Sequence, residues 1–182
     1  MKRVFFDIDT QIDFMFPAGA LYVPGAEKLL PAISRLNRHA AQNGIPLIST
    51  MCAHAENDPE FRQWPPHCIV GTVGQQKPSS TLVGQILLEK QDLDLFTNPA
   101  LPELLRELHA DEYTVYGVVT EHCVRLAAMG LLALGKPVTV LDDAIQQLDP
   151  EAAAKFKEEF RARGGRLTRT PAAITLLEGF DS

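Results

Sequence analysis

Short apolar runs alternate along this chain with longer stretches of helical spacing. No other feature constrains the fold as much, because that rhythm belongs to a parallel sheet joined by helical crossovers. Val4-Phe5-Phe6-Asp7-Ile8-Asp9 reads as a buried first strand. A turn-rich segment holding Pro17, Gly19, Pro24 and Gly25 follows it. Leu29, Leu30, Ile33, Leu36 and Ala40 then recur at helical intervals, with Pro31 tolerable only near the helix start. Asn43-Gly44 stops that helix, and residues 45–50 make a second strand. Residues 86–89, 113–119 and 138–141 read as the third, fourth and fifth strands. Residues 102–108 and 121–134 read as helices, the second closed by Gly135. Asp149-Pro150 opens a last helix that Gly164-Gly165 ends, and residues 166–168 add a short edge strand. The expected fold is a three-layer α/β/α sandwich around an open, mainly parallel sheet of about six strands. No repeat, low-complexity tract or charge block interrupts it, so residues 1–182 read as a single domain.

Composition narrows the partners. The formal charge of −6 comes from 17 basic and 23 acidic residues, which opposes a nucleic-acid partner that must be neutralised by Lys and Arg. Three cysteines (Cys52, Cys68 and Cys123) are too few and too odd for a disulfide framework and suit a reducing cytoplasm. Met1-Lys2-Arg3 precedes only three apolar residues before Asp7, far short of a signal-peptide core. The longest apolar stretch, residues 126–135, is about half of a membrane span. A cytoplasmic protein without a membrane partner is therefore expected.

Residues 51–81 lack periodicity and hold Pro59, Pro65, Pro66, Gly71, Gly74 and Pro78. Such a long irregular segment in a compact domain points to function. In open α/β sheets ligands lie beyond the carboxyl ends of the strands. That rule selects Asp9, His54, Lys90, residues 120–123, and the Asp142-Asp143 pair after strand five. Cys123 falls at the first turn of a helix, where unpaired amides and the positive dipole end stabilise a thiolate. The same amides suit an oxyanion. A buried Cys is equally a small core filler. Asp9 would take the thiol proton and deliver it to a leaving amine, and Lys90 would favour both charged forms. The plainer alternatives are a strand-end cap for Asp9 and a solvated charge for Lys90. Spacing cannot join the three, since each follows a different strand.

At these residues the chain resembles the isochorismatase-like cysteine hydrolases, and their nicotinamidase branch most closely. That family opens with D-x-Q-x-D-F, as in Asp9-Thr10-Gln11-Ile12-Asp13-Phe14. Its lysine stands six residues before a Phe, as Lys90 does before Phe96. Its nucleophile lies in G-[VI]-x-T-[DE]-x-C-V, matched throughout by residues 117–124. The nicotinamidase branch adds W-P-P-H-C and G-T-x-G, repeated by Trp64 to Cys68 and Gly71 to Gly74. The resemblance implies Cys123 as nucleophile, Asp9 as proton acceptor and donor, and Lys90 as the thiolate-stabilising cation. It further implies a non-proline cis peptide at Val118-Val119 that aims the Val119 and Cys123 amides into one oxyanion hole.

By the same resemblance, a divalent metal would bind through His54, His67 and a further ligand such as Glu60. The family's aspartate is replaced by Cys52, whose thiolate is a good zinc ligand. These side chains would otherwise be solvated polar groups of an ion-free loop. Phe14 and Trp64 match the aromatics that sandwich a pyridine ring, or else simply anchor loops. The implied function is hydrolysis of nicotinamide to nicotinate and ammonia, in a homo-oligomer with no organic cofactor. Another small substrate, a carbamoyl amide or the vinyl ether of isochorismate, is the alternative. A binding module without catalysis is a further one. Asp7-Ile8-Asp9-Thr10 is also similar to the D-x-D start of haloacid-dehalogenase-type phosphatases. Gln11 departs from that pattern, and the Cys123 segment would go unexplained.

Overall fold

The computed structural model of the chain describes residues 1–170; residues 171–182 of the single domain expected over 1–182 lie outside the described residues. Six strands, β1 (Arg3–Ile8), β2 (Leu47–Cys52), β3 (Ile86–Lys90), β4 (Glu112–Val118), β5 (Val138–Gln146) and β6 (Arg166–Thr168), form one sheet in the order β3-β2-β1-β4-β5-β6. Every neighbouring pair is parallel. β1 and β4 lie at the centre, and every residue of β4 is buried, as a parallel strand covered on both faces requires.

The pleat of β1 separates the two cores. Val4, Phe6 and Ile8 pack on one face with Leu131, Phe156 and Phe160, whereas Phe5 packs on the other with Ile33, Leu36 and Tyr116. A short helix, α1 (Ile12–Met15), and the longer α2 (Leu30–Gln42) cover the Phe5 face. α3 (Leu101–Leu108), α4 (Arg125–Ala133) and α5 (Pro150–Ala162) cover the Phe6 face. Pro31 sits in the first turn of α2, and the Asp149 side chain caps α5 by accepting from the Glu151 and Ala152 amides. The expected α/β sheet is therefore the observed one.

Two expectations are corrected. The helix read over 121–134 begins as α4 only at Arg125; a π-helical turn, Thr120–Val124, precedes it and carries Cys123. Cys123 thus lies in a widened turn leading into an α-helix, not in its first turn. Strand β5 also runs past residue 141 to Gln146, through an irregularity opposite Val115 to Gly117. Asp142 and Asp143 consequently lie inside β5 instead of beyond it. Asp142 pairs with Lys157, and Asp143 accepts from the Thr170 amide and hydroxyl, so both are structural ties. Gly117 is required where β4 passes β1: at φ 120°, an added Cβ would lie 2.2 Å from the Ile8 carbonyl oxygen.

Candidate active site

The carboxyl ends of β1, β2 and β3 and the turn after β4 converge on one cavity. Asp9 leaves β1 with a left-handed φ of 49°. Cys52 ends β2 and Lys90 ends β3, and the two are register partners. Asp9, Cys52 and Cys123 line the cavity together with Val118 and Val119. Lys90 Nζ lies 2.9 Å from Asp9 Oδ2, 3.3 Å from Cys52 Sγ and 3.6 Å from Cys123 Sγ, and it donates to the Asp92 carbonyl at 3.0 Å. Asp9 Oδ1 accepts from the Thr50 hydroxyl at 2.6 Å. Asp9 is 1% exposed, Lys90 4% and Cys123 6%, so these charges interact with little water between them. The fold thus unites the three residues that spacing could not. The peptide between Val118 and Val119 is cis, as expected.

Electrostatics divide the roles. Burial raises the Asp9 carboxyl, and the adjacent Cys52 charge adds to it, outweighing Lys90 and Thr50. Burial opposes the Lys90 charge, but Asp9, Cys123 and Cys52 hold the ammonium well above its usual range. The neighbouring Cys123 holds Cys52 well below the ordinary thiol range, against burial and with help from Lys90, while Cys52 pushes Cys123 well up, with burial adding to the rise. Cys52 Sγ also stands 3.7 Å from Asp9 Oδ2, so the carboxylate, the ammonium and both sulfurs form one cluster. Burial likewise pushes Cys68 up, and its amide is spent on Asp13 Oδ2 at 2.7 Å.

A second cluster adjoins the first. One ligand atom each from Cys52, His54 and His67 lies within 4.8 Å of the others, and all three residues are buried. His54 Nδ1 is 3.0 Å from Asp58 Oδ2, while its Nε2 is buried without a hydrogen-bond partner among the described residues. His67 Nδ1 must donate to the Pro65 carbonyl at 2.8 Å, which leaves Nε2 as the lone-pair side. Burial alone would lower the His54 imidazole, yet Cys52 and Asp58 lift it to about 9. The cluster therefore already favours a positive charge between Cys52 and Asp58. Two imidazole nitrogens, a sulfur and a carboxylate behind one imidazole fit a divalent metal ion. Glu60 stands outside the three, with an oxygen 3.8 Å from His67 Nε2, although it lines the same cavity.

Phe14 and Trp64 both wall the cavity; Phe14 packs on His67, and Trp64 meets His122 edge to face at 5.4 Å between centroids. His122 falls within the residues 120–123 that the strand-end rule selects, whereas sequence reasoning missed Leu21, Leu93 and Leu148 as cavity walls, and nothing in their spacing marks them. It also missed Asp58, whose legible signal is an Asp-Pro dipeptide: Asp58 Oδ1 caps the Pro59–Arg62 turn by accepting from the Glu60 amide. Asp7 faces away from the cavity and is satisfied by Thr10, Asn37, Ser49 and Lys77. It carries none of the phosphatase chemistry its D-x-D setting suggested.

Gln11 holds the site's frame. Its amide nitrogen donates to the Cys52 and Gln75 carbonyls at 2.8 and 2.7 Å, and its carbonyl accepts from the Cys52 amide at 2.7 Å. Replacing it with Ala strands three buried backbone groups. We expect Gln11→Ala to cost about 2–4 kcal/mol, read as a lower urea midpoint at unchanged slope. A loss below about 0.5 kcal/mol would show that the clamp is dispensable.

Residues 4–172 match the family described as Isochorismatase domain. The nicotinamidase of Saccharomyces cerevisiae is 27% identical over 207 residues, covering 85% of this chain and 94% of that protein. The nicotinamidase/pyrazinamidase of Mycobacterium tuberculosis is 29% identical over 178 residues, with 87% and 94% covered. The pyrazinamidase of Pyrococcus horikoshii, solved in complex with zinc, superposes with a TM-score of 0.86 at 28% identity, over 93% of this chain and 99% of that one. Shared sheet order alone would leave many α/β families open. The match across nearly the whole described chain does not, and this protein belongs to the isochorismatase domain family.

Proposed function

We propose that this protein hydrolyses a small carboxamide to its acid and ammonia through a thioester on Cys123, and that nicotinamide is the substrate. The observation that carries the reading is the convergence of Asp9, Lys90 and Cys123 on a cavity walled by Phe14 and Trp64. The similarity to nicotinamidases supports the choice of substrate.

The Cys123 sulfur attacks the amide carbon while its proton passes to Asp9, whose carboxyl burial has raised to suit that task. The Val119 and Cys123 amides receive the oxyanion. As the C–N bond breaks, the Asp9 proton goes to the nitrogen and ammonia departs. Water then attacks the thioester, giving its proton to Asp9, and the proton returns to sulfur as the acid leaves. Lys90 stays charged throughout and offsets the negative charge passing between Asp9 and Cys123. Phe14 and Trp64 hold a flat ring by stacking.

Cys52, His54 and His67, with Glu60 beside His67, are the residues that would hold a divalent ion, and the thiolate favours zinc. Such an ion supplies an anchor for a ring nitrogen or a water. Protein purified without chelator is expected to carry zinc by elemental analysis, and His54→Ala to lose it about tenfold or more. Zinc retained in full by His54→Ala would remove His54 from the ligand set.

The function is tested by incubating the full chain with nicotinamide and following ammonia, beside a carbamoyl amide followed in the same way and a vinyl ether of the isochorismate kind followed by the carbonyl product it releases. Ammonia from nicotinamide supports the reading. Turnover of only one of the others would overturn the substrate, and turnover of none would overturn the reading itself.

A further inference from the structure

We propose that Cys52 and Cys123 form a hydroperoxide-sensitive dithiol, in which Cys52 captures an oxidised Cys123 as a reversible disulfide. The inference rests on Cys123 being the nucleophile of the cavity. It gives that site a modification which neither the family pattern nor the amidase reading contains.

Cys52 departs from the pattern this chain otherwise resembles, and it adds a second sulfur beside Cys123. The two sulfurs arrive from different elements, the end of β2 and the π-helical turn after β4, yet both contact one ammonium. Lys90 Nζ is 3.3 Å from Cys52 Sγ and 3.6 Å from Cys123 Sγ, so one side chain gathers both sulfurs. Both line the cavity that would admit a small amide, so a small hydroperoxide meets them by the same route. Cys68, the remaining cysteine, is buried and does not line it.

Lys90, in contact with both sulfurs, offsets the negative charge a sulfur carries as it reacts with a peroxide. The Cys123 sulfur attacks one peroxide oxygen, so an S–O bond forms as the O–O bond breaks. The other oxygen leaves with a proton as alcohol or water. Sulfur is oxidised by two electrons to the sulfenic acid and the peroxide is reduced. The Cys52 sulfur then attacks the Cys123 sulfur; an S–S bond forms, the S–O bond breaks and the hydroxide leaves as water, taking up a proton that Cys52 has given to solvent. Overall, two thiols and one hydroperoxide give one disulfide, one alcohol and one water. An aspartate at 52 could not perform the second step, and the sulfenic acid would proceed to the irreversible sulfinic acid. A divalent ion on Cys52 would occupy the same sulfur, so the two uses compete.

The test treats the chelator-washed full chain with hydrogen peroxide, blocks free thiols, and maps the peptides by mass. The expected result is a linked Cys52–Cys123 peptide pair cleaved by dithiothreitol, with Cys123 sulfinic acid about tenfold lower than in Cys52→Ser. Cys68→Ser should form the same link. Equal sulfinic acid in wild type and Cys52→Ser, or a link through Cys68, would overturn the proposal. Should Cys52→Ser fail to fold, the wild-type map decides alone: a chain with no Cys52–Cys123 link refutes it. The map needs no turnover. A link in a chain that releases no ammonia leaves this proposal standing and defeats only the amidase reading; ammonia release without a link does the reverse.

Discussion

Cys123→Ala is expected to lower ammonia release from nicotinamide by about 10⁴-fold or more, because without the sulfur no thioester can form. The variant should stay folded. Cys123 is a small side chain at the cavity wall, and trimming it to Ala leaves Lys90 its contacts with Asp9, Cys52 and the Asp92 carbonyl. Cys52 remains in that variant as a second sulfur on the same lysine. It nevertheless ends β2, on a different element from residues 119–123, whose Val119 and Cys123 amides would hold the oxyanion. Ammonia release within about tenfold of wild type would therefore move the nucleophile to Cys52 or remove covalent catalysis altogether. Intact mass after rapid quenching adds an independent check, since an acyl group on wild type should map to Cys123.

Lys90→Met should show the largest effect on stability. Asp9 and Lys90 are both within the core, and their contact is 2.9 Å. Removing one partner of a buried pair leaves the other charge uncompensated, a loss of about 3–5 kcal/mol. Asp9→Asn in the same chain removes that stranded charge, so the double variant should recover about 2 kcal/mol or more relative to simple addition. Turnover should stay low in all three variants, by roughly 10²–10⁴-fold where proton transfer through Asp9 is lost. Urea unfolding of the four proteins measures the coupling. Strictly additive losses would mean that the pair is not energetically linked, and Lys90 would then have no electrostatic claim on the site.

Much of the site was legible in the chain. Asp9, Lys90 and Cys123 stand at strand ends that period and turn signals locate within a residue or two, and Phe14 and Trp64 stand in the irregular segments beside them. His54 and His67 were legible from the W-P-P-H segment and its upstream partner, and both reach the Cys52 sulfur. Glu60 was a weaker assignment: it reaches His67 without joining the ligand cluster. Asp142 and Asp143 failed because strand ends were read from apolar periodicity. β5 continues through its irregularity on backbone pairing that polar residues join as readily as apolar ones.

Alternation of apolar runs and helical stretches determined the layers, since burying one face of each element leaves few other packings. Motif order determined which residues sit at the working edge of the sheet. The tertiary structure alone decided which charged and nucleophilic groups meet at that edge. Cys52 and Lys90 are 38 residues apart in sequence, and Lys90 and Cys123 are 33 apart. Only the β3-β2-β1-β4 order places one ammonium against a carboxylate and two sulfurs. How strongly those groups act on one another depends on their separation in a medium that screens little. Sequence spacing carries no information at that scale.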